Sequence, residues 1–255
     1  MGGQSDAASV RVLPHETFVL SSKVLGEMRR INIYTPPGYT ESSGARYPVL
    51  YMPDGGVEED FPHVTGTIDA AIRANEMRPS IVVGIENTVR KRDMTGQTDV
   101  VDDRKIGSRV GGSALFRAFI SDELMPDIHK RVRGSGETAI IGESLAGLFV
   151  VETFFVTPNL FDTYIALSSS LWWNDDSLVR HAGERLLERR DLRVTIYLAS
   201  ANEDNIVPQT ARLAEALRAR APKGLIGTTS QYRSNVTTRS IAPRPRLLCA
   251  SCFLR

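Results

Sequence analysis

Ser144 lies in Ile140-Ile141-Gly142-Glu143-Ser144-Leu145-Ala146-Gly147-Leu148-Phe149, where an apolar run meets a serine flanked by small residues and a helical pattern starts at once. This is the pattern of a nucleophile elbow, a sharp strand-to-helix turn that lifts a serine hydroxyl clear of a sheet. Small residues are needed two positions before and after, because the backbone folds back tightly there. Gly142 and Ala146 fill those places, with Ala standing for the commoner Gly. The amide groups at the helix start, that of Leu145 first, can bind a developing oxyanion. A serine in this setting is also a frequent helix N-cap; the buried strand before it is the context that favours the elbow.

Two further segments could complete such a site. Asp54-Gly55-Gly56 follows the apolar run Tyr47–Met52, where an esterase places its other oxyanion donor, and glycine lets backbone approach a substrate. The same residues make a good β-turn. Glu203 and Asp204 follow Val194–Ser200 and can orient a histidine and stabilise its imidazolium. Asp204 is preferred, because Ala201-Asn202-Glu203-Asp204 matches a G-x-x-D spacing with Ala for Gly. Either acid can instead serve a helix N-terminal dipole. The chain order serine, acid, histidine is that of the α/β-hydrolase fold. No histidine stands in third place. The four present are His15, His63, His129 and His181, and none has the right topology. His63 reads as a cap or packing residue and His129 as a helix C-terminal residue, His181 as exposed.

The elements that must position these residues alternate. Residues 15–35 read as two extended, alternating runs. Buried strands are expected at 47–52, 80–85, 138–142, 163–168 and 194–200. Helical spacing covers the region through Ile68, Ala71 and Ile72, then Phe116 to Ile128, 145–156, a segment from about Asp175, and one around Ala211, Leu213 and Leu217. Residues 88–112 read as a long polar loop. Strands alternating with helices in this way predict one mostly parallel α/β sheet with its site at the carboxyl ends of the strands.

Several motifs stand together in one order: P-D-G-G with His63-Val64 beyond it, G-I-E-N-T-V-R-K-R-D-M-T, V-G-G-S-A-L-F, G-E-S-L-A-G-L-F-V-V-E-T-F, F-D-T-Y-I-A-L-S-S-S-L-W-W and A-P-K-G-L. From about Glu16 to Leu225 the chain resembles the putative esterase family of the α/β-hydrolase superfamily, which holds esterase D-like and enterochelin esterase-like proteins. The resemblance implies an α/β-hydrolase fold with helices on both faces, no cofactor, and a small-molecule ester as substrate. It implies Ser144 as nucleophile, oxyanion donors near Gly55, Gly56 and Leu145, and Trp172 and Trp173 beside the substrate pocket, where core packing is the alternative for one of the two. Ser169 stands where this family often has proline. Acyl transfer is the related chemistry, and a catalytically inactive binding domain of the same fold is the alternative of another class.

The tail departs from that pattern. Of 255 residues, 1–227 carry all 30 acidic and 26 of the 31 basic side chains, whereas 228–255 carry five arginines, no acid and both cysteines. Residues 1–227 are therefore expected to form the esterase-like domain, and 228–255 an atypical, frameshifted or disordered tail. After Leu225 the family continues with a W-x-Y-x-P pattern and then a histidine. Triplets built from the third base of each codon and the first two of the next, from Ile226 onward, can read W-H-Y-Q-P-V-P-(K/E)-Q-R-H. A one-base shift near Leu225–Gly227 would thus explain both the tail and the missing histidine. One C-x-x-C without further ligands makes no zinc site. The formal charge of +1 argues against a nucleic-acid or anionic-membrane partner. No signal-peptide pattern and no apolar stretch near 18 residues occur, so a cytoplasmic location is the default expectation.

Overall fold

The computed structural model describes residues 11–107, 109–189, 191–201 and 206–232. Its centre is one eight-stranded sheet in the order β1-β2-β4-β3-β5-β6-β7-β8. The strands are β1 (Glu16–Ser22), β2 (Glu27–Tyr34), β3 (Tyr47–Pro53), β4 (Ile81–Ile85), β5 (Gly134–Glu143), β6 (Thr163–Leu167), β7 (Thr195–Ala201) and β8 (Ile226–Tyr232). β1 and β2 form an antiparallel edge, β2 pairs antiparallel with β4, and every other pairing is parallel. This is the α/β-hydrolase arrangement that the chain order of the motifs predicts.

Alternation along β3 shows how the sheet is buried on both sides. Val49 and Tyr51 join the larger apolar cluster, with α6 (Leu145–Val156) and residues of α4 (Ser113–Phe119) and α9 (Val207–Arg220). Leu50 and Met52 face the opposite cluster, capped by Phe61, Val64, Ile68 and Ile72 of α1 (Phe61–Arg73). A strand covered on both faces must read as a continuous apolar run, which is what Tyr47–Met52 is. α6 is nearly all buried, so its sequence shows little amphipathic contrast.

Three expectations need correction. Residues 88–112 are not an uninterrupted loop: they form α2 (Arg90–Met94) and α3 (Val101–Lys105). α2 forms because Asp93 pairs with the fully buried Arg29 of β2 and Met94 enters the core. The helix expected from Asp175 is α7 (Trp173–Arg180), whose Asn174, Asp175 and Asp176 are left-handed, followed by α8 (Ala182–Leu187). β8 has no counterpart in the sequence reading, since Ile226-Gly-Thr-Thr-Ser-Gln-Tyr has no apolar run. It crosses residue 227, where the composition changes, and ladders against β7 from Ile226 to Tyr232. Helix continues through Phe119 to Arg131 as expected, with a π-helical turn at Ile120–Leu124 before α5 (Met125–Arg131). Among the described residues no helix is long and apolar enough to cross a membrane.

Candidate active site

β5 ends at Glu143 and α6 begins at Leu145, so Ser144 alone makes the turn, with φ 57° and ψ −117°. That left-handed backbone is unfavourable for a serine and persists only where the surroundings fix it. They do so through three backbone bonds. Ser144 N–H donates to Leu167 O at 3.0 Å, and Ser144 O accepts from Leu148 N and from Ser170 N, both at 3.0 Å. A Cβ on Gly142 would lie 2.5 Å from Ala146 C and O, and one on Gly147 2.6 Å from Ser169 Oγ. Both positions therefore require glycine, the second being one the elbow pattern does not specify.

The Ser144 side chain is exposed and makes no capping bond to its helix. Its hydroxyl instead lies 3.3 Å from that of Ser170. The ordinary N-cap alternative is thus not the one adopted. Leu145 is the first residue of α6, so its N–H has no intrahelical acceptor.

The β3 loop is held differently from the sequence expectation. Asp54 is 5% exposed with φ 58°. Its carboxylate takes a two-point bond from Arg90, both distances 2.7 Å, and a third at 2.5 Å from Asn87 Nδ2. Gly55 packs so tightly on β4 that a Cβ would overlap Ile85 N. Its N–H donates to Ile85 O at 3.0 Å, and Gly56 N–H donates to Glu59 Oε2 at 2.8 Å. Neither amide is open to a ligand as placed. Asn87 and Arg90 were not singled out as site residues. Their signal is the G-I-E-N-T-V-R stretch, of which Asn87 and Arg90 serve Asp54, whereas Thr88 bonds Glu27 and Glu86 pairs with Arg30.

Burial raises the Glu59 pKa despite its bonds from Gly56 and Asn87, and the Asp54 charge adds to the rise. Asp60 is raised to about 6, first by burial and then by the Asp54 charge. His63, on the first turn of α1, shares a small cleft with Asp60, Gly142, Glu143 and Leu167, and burial lowers its pKa. His129 is exposed on the last turn of α5, His181 pairs with Glu184 on the surface at 3.0 Å, and His15 packs edge-on against Phe61.

The β6 end comes close to the elbow. Ser168, Ser169 and Ser170 are buried, and Trp173 N–H donates to Ser170 O at 3.2 Å. Trp173 is 3% exposed and donates its indole N–H to Gly96 O at 3.1 Å, so it belongs to the packed interior. Trp172 is half-buried beside it, ring centres 6.2 Å apart. β7 ends at Ala201; Glu203 and Asp204 lie outside the described residues, as do residues beyond 232. Among the described residues no group of His, Cys, Asp and Glu could hold a metal.

A family model described as "Putative esterase" matches residues 22–235. The ferri-bacillibactin esterase BesA of Bacillus subtilis (strain 168) is 29% identical over 222 residues, which cover 78% of this chain and 73% of that protein. A siderophore enterobactin esterase of Emericella nidulans is 30% identical over 177 residues, 60% of this chain and 57% of that protein. Among solved structures, an IroE-like serine hydrolase from Shewanella oneidensis superposes with a TM-score of 0.79 at 26% identity, covering 92% of this chain and 77% of that one.

Proposed function

We propose, from the premise that this chain belongs to the putative esterase family, that it cleaves carboxylic esters through Ser144. The hydroxyl oxygen adds to the ester carbonyl, the alcohol leaves, and water then releases the acid from the acyl-serine. Leu145 N–H receives the developing oxyanion, as electrostatic stabilisation by a preset donor requires. For Gly55 or Gly56 to add a second donor, the β3 loop must release Ile85 O or Glu59. Asp204, with Glu203 second, is proposed to orient the base. Siderophore esters are the proposed substrates, because relatives named for bacillibactin and enterobactin esterases match over most or more than half of this chain.

The observation that carries this reading is the geometry of Ser144: exposed, left-handed, free of capping duty, and set at the start of a buried helix. The histidine missing after Asp204 favours a second reading, an inactive domain of the same fold. Loss of one triad member costs several orders of magnitude in rate. Hydrolysis of 4-nitrophenyl acetate by the full chain, by Ser144→Ala and by a chain with the tail frame restored separates the two. The esterase reading expects strong activity in the restored chain that Ser144→Ala removes. Equal background in all three contradicts it.

A further inference from the structure

α9 sends Leu213, Ala214 and Leu217 into the core but leaves a cleft along β7 and β8. Beside its first turn, at the carboxyl end of β7, lies a hollow of about 300 Å³ lined by Ser200, Val207, Thr210, Ala211 and, from β8, Ser230. Ala214, Arg218 and Thr229 line this hollow and also a second one, of about 260 Å³, whose other walls include Leu217, Leu225 and Gly227. The two are thus parts of one cleft, to whose second part β8 contributes only glycine and threonine. Ser144 lines neither.

Two hydroxyls of the first hollow have no hydrogen-bond partner among the described residues: Ser200 Oγ, on a residue 1% exposed, and Thr210 Oγ1, on a residue 7% exposed. A threonine inside a helix can return its hydroxyl to the carbonyl four residues back. Thr65, Thr67 and Thr153 do so, donating to Phe61, His63 and Phe149 O at 2.7, 3.0 and 2.7 Å. Thr210 does not. Ile206 O accepts its backbone N–H at 3.1 Å but not its hydroxyl. Ser200 shows the same contrast with nearby serines, since Ser168 Oγ accepts Ala201 N–H at 3.0 Å and Ser230 Oγ meets Tyr197 Oη at 2.8 Å. A buried hydroxyl left without an acceptor is costly, and here two of them line one hollow.

What these donors lack is an acceptor, and the surroundings favour a negative one. The hollow lies at the first turn of α9, the positive end of its dipole. Arg218 stands on its wall, and among the described residues none that lines either hollow is acidic. Beyond Arg218 the cleft turns apolar, at Leu217 and Leu225. We propose that the α9 cleft binds an amphiphilic organic anion, a carboxylate with a short alkyl tail. The head accepts from Ser200 and Thr210 and is attracted by Arg218, and the tail lies along Ala214, Leu217 and Leu225. This site does not depend on ester cleavage at Ser144.

The test is isothermal titration calorimetry of the full chain with sodium octanoate, with 1-octanol and inorganic phosphate as probes that lack the charge and the tail. Octanoate should bind one to one, and each of the others about tenfold or more weakly. Thr210→Val keeps the side-chain shape and removes the hydroxyl. It should weaken octanoate about tenfold, the scale of one hydrogen bond to a charged group, and Thr210→Ser should restore it. Ser200→Ala should weaken octanoate similarly while raising the melting temperature of the unliganded chain, a pair of changes that a purely structural hydroxyl would not give. If Thr210→Val does not fold, Arg218→Gln decides, because this exposed side chain lies outside the core and its loss should weaken octanoate about threefold. Octanol or phosphate bound as tightly as octanoate overturns the amphiphilic anion. Octanoate bound equally by the unaltered chain and the deciding variant, or not bound at all, overturns the site.

Discussion

Ser170 donates its backbone N–H to the carbonyl of Ser144 at 3.0 Å, and their hydroxyl oxygens lie 3.3 Å apart. The β6 loop is therefore part of the nucleophile's mounting. Ser170 is 4% exposed, so its hydroxyl has little access to water. Ser170→Ala keeps the backbone bond and removes only the hydroxyl. In the frame-restored chain it should lower kcat about tenfold, one hydrogen bond's worth, and leave the melting temperature nearly unchanged. A full loss of activity equal to Ser144→Ala would show that Ser170 does more than hold the rotamer.

Gly147 should be as intolerant of a side chain as Gly142. Its added Cβ would sit 2.6 Å from Ser169 Oγ and 2.9 Å from Leu167 O, and that carbonyl already accepts from Ser144 N. Overpacking of this kind costs about 1–3 kcal/mol. Urea titrations of Gly147→Ala should show that loss; an unchanged midpoint would mean the elbow yields more than its hydrogen bonds suggest.

Ser169 gives a prediction of opposite sign. Among the described residues its buried Oγ has no hydrogen-bond partner. A buried hydroxyl without a partner costs about 1–3 kcal/mol, so Ser169→Ala should stabilise the fold by about 1 kcal/mol. A destabilised Ser169→Ala in thermal melts would reveal a partner for that hydroxyl.

How much of this was legible in the sequence follows from what each signal measures. The elbow was readable because Gly142, Ser144 and Ala146 satisfy a local backbone requirement, and the central strands because burial on both faces leaves continuous apolar runs. The polar clamp on Asp54 was not, since Asn87 and Arg90 lie 33 and 36 residues away in sequence and nothing local marks them as its partners. β8 was missed for a related reason. Its residues are laddered by backbone bonds to β7, and backbone pairing leaves no mark on side-chain pattern. The two loop glycines were found, but the donor role expected of their amides was not visible, because their acceptors come from Ile85 and Glu59.

Asp60 gives a pH test. Its folded pKa, about 6, lies above the ordinary carboxylate value, chiefly through burial. A raised carboxyl favours the folded state fully below the unfolded value and loses that advantage as pH rises through about 6. Asp60→Asn removes the penalty. Its stability relative to the unaltered chain should therefore rise between the ordinary carboxylate value, 3.8, and about 6, by about 1 kcal/mol or less given the solvent at this side chain. A difference that is flat with pH would contradict the assignment.

The central claim is that Ser144 is the atom that takes the acyl group. The direct measurement is mass spectrometry of the frame-restored chain, quenched in acid during turnover of 4-nitrophenyl acetate. The account predicts one acetyl group on the peptide that contains Ser144, absent from Ser144→Ala, whose turnover is lost with it. Turnover that persists in Ser144→Ala, or an acetyl group found on a different residue, would contradict it.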